Sequence, residues 1–278
     1  MGYIKDKIKE YYSIKPTKTY EHGLISPSML GGCPRVMYYK IKGIPETTPP
    51  DTNALMNFEV GNMWEANISN YLENLKILIH WWIDGQQVRL INENEWTPGV
   101  LRKDKWIDEE LGVAGTLDQI YLQDNKTVLL DTKTQSEGKA KYVAKLTDEE
   151  YWNTDGYGYR LQLGCYMLMA KRRFEKGLEK FKVDYGKLVL ISKDNGFIFK
   201  EPCLFYDEKL ERDVIERINY LRSFINNNEI PPCECNIVDH VHNKGMWKVS
   251  FCRYGVVDSI QPNSKKRNVP TKCCQLLE

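Results

Sequence analysis

The sequence of 278 residues predicts an α/β protein with a central mixed β-sheet flanked by helices. Apolar residues recur at helical spacing over about 52–76 and 157–174, which is typical of helices that bury one face. Short apolar runs bounded by polar turn residues, which favour strands, lie near 77–83, 86–92, 113–122, 126–133, 187–192 and 197–204. Helices and strands that alternate in this way are typical of a sheet covered by helices.

The N-terminal segment predicts short helices. Residues 2–14 have an amphipathic pattern. Ser26 suits the N-cap of a helix and Pro27 its first position. Pro34, which follows a pair of glycines, can begin a second short helix. We expect this segment to lie outside the central sheet.

The second half of the chain changes twice in composition and hydrophobic periodicity. Segment 136–155 is polar and rich in Gly, Lys and Asp, and we expect a loop around a substrate. A long helix is predicted over 207–227, and after the prolines at 231 and 232 the periodicity ends and cysteines become dense. These changes predict an N-terminal segment, a core and a cysteine-rich tail, with bounds 1–50, 51–230 and 231–278.

Composition places the chain among globular proteins. Hydrophobic residues make up 42% and aromatic residues 12%, which is enough apolar surface to build a core. No apolar run is long enough to span a bilayer, since the longest, 77–83, is interrupted by His80. The first residues alternate in charge and have no apolar stretch, unlike a signal peptide. We therefore expect a cytoplasmic protein with no membrane partner, in the host cytoplasm if a phage encodes it.

The net charge does not indicate a nucleic-acid-binding protein. Lys and Arg exceed Asp and Glu by 39 − 38 = 1, so any DNA-binding surface must come from locally grouped charge. We favour the group that follows the strand at 126–133, which consists of Lys139, Lys141 and Lys145. Two other basic groups, 171–173 and 265–267, are better explained as solvated surface.

Two short segments, Gly115-Thr116-Leu117-Asp118 and Leu130-Asp131-Thr132-Lys133, carry the chemistry. If a hairpin closes on Asp124-Asn125, Asp118 lies directly opposite Asp131, where two carboxylates repel each other unless a cation lies between them. Strand alternation puts Lys133 on the face of Asp131. Two acids and a lysine together are typical of a metal-dependent phosphodiesterase, although solvated charges on a polar hairpin face would give the same pattern.

Oxygen ligands determine which metal such a site prefers. Carboxylates bind hard cations, so Asp118 and Asp131 would hold Mg²⁺ or Mn²⁺, with the carbonyl of Thr132 as a further ligand. Metal-bound water supplies a nucleophile for phosphodiester hydrolysis. Lys133 would orient that water or offset charge in the transition state.

The motifs resemble a known family in their order along the chain. Gly115-x-x-Asp118 followed, after a gap of twelve residues, by Asp131-x-Lys133 is similar to the PD-(D/E)xK nuclease core. Gln162 and Tyr166 match the Gln-x-x-x-Tyr motif of its RecB-like branch. Segments 26–30 and 33–39 resemble the start of the iron–sulfur RecB-type exonucleases, which include the CRISPR-associated exonuclease family and the AddB nuclease domain. The resemblance runs from about residue 26 to residue 252.

The resemblance implies a restriction-endonuclease-like fold and a metal-dependent DNA exonuclease. Its substrates would be single-stranded DNA or duplex ends, in recombination, phage DNA processing or CRISPR adaptation. Gln162 and Tyr166 would contact the region of Lys133 and the DNA strand. RecB-like enzymes carry a His after a Gly on the upstream helix. Here Glu65 takes that place after Gly61, which makes it a further candidate metal ligand and leaves open which metal works best.

The chain has eight cysteines, and some of them provide a second candidate site. In a cytoplasmic chain they indicate metal binding or burial, not disulfides. Cys165 and Cys203 have apolar neighbours and are expected in the core. The family layout of one cysteine before the nuclease core and three after it implies a [4Fe-4S] cluster, with Zn²⁺ or no metal as alternatives. The expected ligands are Cys33, Cys233, Cys235 and Cys252. The spacing departs from the family, so the alternative ligands are Cys273, Cys274, His240 and His242.

A second function remains open from the sequence. A non-catalytic DNA-binding adaptor could keep the nuclease fold and a structural cluster, but such a protein is expected to lose the acids or the lysine. Asp118, Asp131 and Lys133 are all present. The chain has no Walker A motif, so any unwinding would come from a helicase or recombination partner.

Overall fold

The structure is a computed structural model of the full chain. It describes residues 7, 10, 11, 23–46, 50, 52–83, 86–89, 101–102, 105–154, 156–179 and 181–232. The chain divides into two compact units, which we describe separately. The first unit comprises Met1–Ile25, Gly32–Met56 and Asn219–Glu278, and the second comprises Ser26–Gly31 and Asn57–Ile218. The predicted helix over 2–14 lies almost entirely outside the described residues.

Residues 7, 10 and 11 are helical, and six α-helices have both ends within the described part of the chain. They are α1 (Pro34–Ile41), α2 (Thr52–Asn74), α3 (Glu137–Val143), α4 (Asp148–Asn153), α5 (Tyr157–Glu175) and α6 (Glu208–Asn227). The helices predicted at 52–76, 157–174 and 207–227 are thus confirmed. Pro34 begins α1 as expected, and Pro27–Met29 forms a 3₁₀ turn. None of the helices in these ranges is long and apolar enough to cross a membrane.

The strands of the described residues form a large sheet and a small one. They are β1 (Leu78–Ile83), β2 (Gln86–Arg89), β3 (Leu101–Arg102), β4 (Lys105–Asp108), β5 (Val113–Thr116), β6 (Gln119–Gln123), β7 (Lys126–Gln135), β8 (Tyr185–Ser192), β9 (Ile198–Lys200) and β10 (Cys203–Phe205). Eight of them make one sheet with the order β10-β8-β7-β6-β1-β2, in which β3 pairs with β1 and β9 with β8. β7 and β8 are parallel and the other pairs are antiparallel. The predicted mixed sheet is confirmed.

Helices cover both faces of this sheet within the second unit. Ile68 of α2 belongs to an apolar cluster with Tyr121, Leu130 and Val189, which therefore mark the α2 face. Gly186 lies on the other face, where an added Cβ would come within 2.6 Å of Leu163 on α5. Because side chains alternate along a strand, each residue of β7 can be assigned to the α2 face or the α5 face.

The predicted strand at 113–122 is wrong as a single element. β5 ends at Thr116 and pairs with β4 in a separate two-stranded sheet, whereas β6 begins at Gln119 and joins the large sheet. The chain therefore changes sheet at Leu117 and Asp118. This break places Asp118 immediately before β6, outside the backbone pairing of either sheet.

The loop predicted at 136–155 is also wrong, because the segment contains α3 and α4. Thr147 and Glu150 form a reciprocal capping box at the start of α4. α4 buries Tyr151 and Trp152, and the indole nitrogen of Trp152 donates a hydrogen bond to the Cys203 carbonyl at 2.7 Å. Tertiary packing of these two aromatic side chains outweighs the polar composition of the segment.

The first unit has its own small core. Tyr38 and Tyr39 of α1 pack with Phe224 and Ile225 at the end of α6, and Cys33 packs against the same cluster. The Tyr38 hydroxyl is 3.3 Å from Asn228 Oδ1. These contacts join a segment near the start of the chain to one nearly two hundred residues later.

Candidate active site

The hairpin between β6 and β7 has the predicted register. Gln123 pairs with Lys126, and the pairing continues to Gln119 opposite Leu130. Asp124 and Asn125 have φ values of 49° and 61°, as the two central residues of a tight hairpin turn require. One more step along this register leads to Asp118 and Asp131, which therefore meet just before β6 begins.

Asp118 contacts the neighbouring strand through its carboxylate. The Thr132 N–H donates a hydrogen bond to Asp118 Oδ2 at 3.0 Å. This hydrogen bond replaces the main-chain pairing that β6 would otherwise give to β7. The carboxylate of Asp118 is thereby held at the open edge of β7.

Asp131 is the centre of the site. It is buried, with 3% of its surface exposed. Lys133 Nζ lies 2.6 Å from Asp131 Oδ2, and the Gln162 amide donates to Asp131 Oδ1 at 2.9 Å. One carboxylate oxygen thus accepts a hydrogen bond and the other forms an ion pair, and together these contacts fix the orientation of the carboxylate.

Lys133 pairs with Asp131 and is close enough to Asp118 to be influenced by its charge. Burial alone would lower its pKa, but the charges of Asp131 and Asp118 and the hydrogen bond from Lys133 to Asp131 outweigh burial, so the pKa of Lys133 is raised above its usual value. The ammonium is therefore charged at neutral pH. The metal ion that the sequence predicts between the two carboxylates stays a prediction.

The Thr132 carbonyl faces the same gap as Asp118. The carbonyls of Thr127 and Gln135 accept hydrogen bonds from Asp184 and Lys193, which flank β8. Odd-numbered residues of β7 therefore point their main-chain groups towards β8. Thr132 then points its N–H and C=O towards the edge that β6 leaves open. The side chain of Asp131, by alternation, lies on the α5 face.

Gln162 and Tyr166 support this edge from α5. Residues 161–170 of α5 are all buried. The Tyr166 hydroxyl donates to the Thr116 carbonyl at 2.9 Å, at the end of β5. Burial, with the charges of Asp131 and Asp118, raises the pKa of Tyr166 well above its usual value, so the hydroxyl stays a donor. The prediction that Tyr166 projects towards a DNA strand is therefore corrected, because only 4% of this residue is exposed.

Gly115 allows the close approach of Tyr166. A Cβ at position 115 would lie 2.7 Å from the Tyr166 ring and 2.8 Å from the Pro27 ring. Any larger residue would push these rings apart. The Gly of the Gly-x-x-Asp motif is thus required by packing next to the site, and the Pro27 turn belongs to the same contact.

Glu65 lies on α2, on the other side of the sheet from α5. It is buried, and its backbone carbonyl accepts a hydrogen bond from the Gln119 amide at 3.2 Å. Gln119 Nε2 also lies 2.5 Å from Ser69 Oγ. Gln119, which immediately follows Asp118, therefore ties this end of β6 to α2, a role that the sequence did not predict.

The candidate metal ligands are grouped only in part. In the described residues, no three His, Cys, Asp or Glu side chains are arranged closely enough to hold a metal ion. The structure therefore brings Asp118 and Asp131 together but does not add Glu65 to them as a third ligand. The role of Glu65 as a ligand stays a prediction.

The candidate cluster cysteines are described only at one position. Cys33 is half-buried immediately before α1. The other expected ligands and their alternatives lie outside the described residues, and these are Cys233, Cys235, Cys252, Cys273, Cys274, His240 and His242. Cys165 is fully buried, as predicted, and burial raises its pKa. Cys203 is only partly buried, in β10 near the edge of the sheet, so the core prediction holds for Cys165 alone.

The basic groups differ in their exposure. Each residue of the group at 171–173 forms an ion pair: Lys171 with Glu211, Arg172 with Asp108, and Arg173 with Glu179. On α3 and just after it, Lys141 and Lys145 are exposed and Lys139 is half-buried, and Lys141 forms an ion pair with Glu137 at 2.8 Å. The group at 265–267 lies outside the described residues.

Comparisons with known proteins do not assign a family. No protein-family model matches the chain. No curated protein matches it either. Among solved structures, the crystal structure of SSO0001 is 15% identical, with a TM-score of 0.41, over 90% of this chain and 91% of that chain. A similarity this low carries no conclusion about fold or function.

Proposed function

We propose that the protein is a metal-dependent DNA exonuclease of the RecB-like PD-(D/E)xK type, with a restriction-endonuclease-like fold. The observation that carries the proposal is the meeting of Asp118, Asp131 and Lys133 immediately before β6 begins. Gln162 reaches Asp131 there from the Gln-x-x-x-Tyr segment of α5. Four residues singled out from three separate motifs thus share one spot in the second unit.

The donor atoms at this spot fit Mg²⁺ or Mn²⁺. Asp118 and Asp131 are carboxylates, and the Thr132 carbonyl faces the same gap, so the donor set is entirely oxygen. These three residues would hold the ion. When bound, a divalent cation lowers the pKa of its water and polarises the phosphoryl oxygen.

The side chains have separable tasks in phosphodiester hydrolysis. Gln162 fixes the orientation of the Asp131 carboxylate, and Thr132 N–H fixes that of Asp118. Lys133, which is charged and 22% exposed, can place its ammonium against a non-bridging phosphate oxygen or orient the attacking water. Tyr166 holds the Thr116 carbonyl and so the chain leading into Asp118.

The proposal predicts degradation of DNA that depends on a divalent cation. We expect the purified protein to shorten end-labelled single-stranded oligonucleotides or duplex ends with Mn²⁺ or Mg²⁺, and not with EDTA. A covalently closed circular DNA of the same sequence is the matched control for end dependence. DNA binding without hydrolysis under every cation condition would instead support the non-catalytic adaptor.

Glu65 gives a second test of the metal site. Glu65→Gln keeps the size of the side chain and removes its charge, so we expect it to weaken Mn²⁺ binding more than it weakens DNA binding. Since His stands at this place in the family that the chain resembles, Glu65→His is expected to restore part of the activity. Activity is to be measured across a Mn²⁺ titration. Wild-type behaviour of Glu65→Gln would make Glu65 a structural residue of α2.

We also infer that the first unit contains a cysteine-bound [4Fe-4S] cluster, with Zn²⁺ as the alternative. Arg35, two residues after Cys33, is buried and donates through Nε to the Pro231 carbonyl at 2.8 Å. Pro231 lies two residues before Cys233. This hydrogen bond supports the inference because it brings the chain near Cys33 next to the start of the cysteine-rich tail. Four thiolates are the usual ligands of such a cluster.

A further inference from the structure

Lys133 contacts an aromatic ring in addition to Asp131. Its Nζ lies 5.6 Å from the centroid of the Tyr159 ring. Tyr159 is half-buried on α5, three residues before Gln162, so both side chains project from one face of the helix. The ammonium thus has the Asp131 carboxylate at one side and the face of an aromatic ring at another.

The contact with Asp131 alone does not explain how Lys133 stays at the site during a reaction. Asp131 Oδ2, which is 2.6 Å from the ammonium, belongs to the carboxylate that would also hold a divalent cation. Two cations at one oxygen repel each other, and a lysine stem is flexible. Retaining Lys133 therefore needs a contact that does not compete for the carboxylate.

A tyrosine ring provides such a contact. The face of the ring carries partial negative charge, and a cation within about 6 Å of the centroid is attracted to it. The attraction does not use an oxygen of Asp131 or Asp118. We propose that Tyr159 is a positioning residue that holds the Lys133 ammonium at the reacting phosphate. The inference rests on the proposed function, because it concerns the proposed catalytic lysine.

Three variants separate a positioning role from other roles. Tyr159→Leu removes the ring, Tyr159→Phe keeps the ring without the hydroxyl, and Tyr157→Leu is the matched control. Tyr157 is also on α5, half exposed and two positions away, which places it on a different side of the helix. Circular dichroism of each variant checks that the protein is folded.

The kinetic measurement compares kcat and KM on a single-stranded oligonucleotide with Mn²⁺. We expect Tyr159→Leu to lower kcat about tenfold with little change in KM, since the contact acts on Lys133 and not on DNA. Tyr159→Phe should keep most of the wild-type kcat, and Tyr157→Leu should match wild type. The inference is overturned if Tyr159→Leu raises KM at unchanged kcat, which would indicate stacking on DNA, or if Tyr159→Phe is as impaired as Tyr159→Leu.

A spectroscopic measurement is independent of catalysis. In protein labelled with ¹³C at the lysine ε carbon, the Lys133 signal is assigned by its loss in Lys133→Arg. The ring current of Tyr159 should displace this signal in wild type and Tyr159→Phe but not in Tyr159→Leu. A signal that does not respond to Tyr159→Leu overturns the inference. If the Lys133 signal of the wild-type protein is displaced but the protein hydrolyses no DNA, the contact between Lys133 and Tyr159 is confirmed. The proposed function is then contradicted, and so is the positioning role of Tyr159 in it.

Discussion

Replacement of Asp131 or Asp118 by Asn is expected to lower the rate of DNA hydrolysis about a thousandfold or more. Each substitution removes one carboxylate from the all-oxygen donor set and keeps the shape of the side chain. Asp118→Asn is the cleaner variant, since the amide oxygen can still accept the hydrogen bond from Thr132 N–H. The measurement is hydrolysis of an end-labelled oligonucleotide over a Mn²⁺ titration, with DNA binding measured separately in Ca²⁺.

The two variants should differ in stability. Asp131→Asn leaves the Lys133 ammonium without its carboxylate partner, which costs about 2 kcal/mol and several degrees in Tm. Asp118→Asn should melt close to wild type. Asp124→Asn, at the exposed hairpin turn, is the matched control and should keep both activity and Tm. Full activity of folded Asp131→Asn would discard the site.

The site was predictable to the extent that it depends on local pairing. Strand alternation and the turn at 124–125 were sufficient to place Asp118 opposite Asp131 and Lys133 beside it, because hairpin register depends on a few neighbouring residues. That Lys133 forms an ion pair with Asp131 depends on side-chain geometry, which no sequence pattern specifies.

The contacts made by α5 could be predicted only in part. The spacing of Tyr159, Gln162 and Tyr166 by three and four residues indicates one helix face, and this signal would have identified Tyr159. The partners of this face depend on where α5 crosses the sheet. Because α5 is buried on both sides, Tyr166 does not face solvent, where DNA would bind. Its hydroxyl instead donates a hydrogen bond to the Thr116 carbonyl.

The errors in the fold come from interactions between distant segments. β5 does not belong to the large sheet because it pairs with β4, and no residue pattern within 113–122 predicts that pairing. For α4 a local signal existed in the capping box of Thr147 and Glu150. The polar composition of the segment masks this signal, and its buried side chains, Tyr151 and Trp152, find their partners only in the folded protein.

Anaerobically purified protein is expected to be brown, with broad visible absorbance that bleaches on reduction, and Cys33→Ser is expected to lose this colour. Cys33 and Cys233 are separated by 233 − 33 = 200 positions. A cluster that closes a loop of this length reduces the entropy of the unfolded chain by an amount equivalent to about 5 kcal/mol. We therefore expect Cys33→Ser to lower Tm by about 10 °C or more and to increase proteolysis near α1.

The matched control for Cys33→Ser is Cys203→Ser, because both cysteines are half-buried. Cys203 lies in β10 of the second unit, outside the proposed ligand set, so its replacement should leave the colour and the iron content unchanged. Elemental analysis distinguishes the metals. Stoichiometric zinc without iron would reject the iron–sulfur cluster but would still support a metal site that links Cys33 to the C-terminal tail. If both metals are absent and Cys33→Ser is as stable as wild type, the proposed metal link between Cys33 and the tail is rejected. The resemblance to the iron–sulfur branch of the family would then be weakened, although the Arg35–Pro231 hydrogen bond would remain.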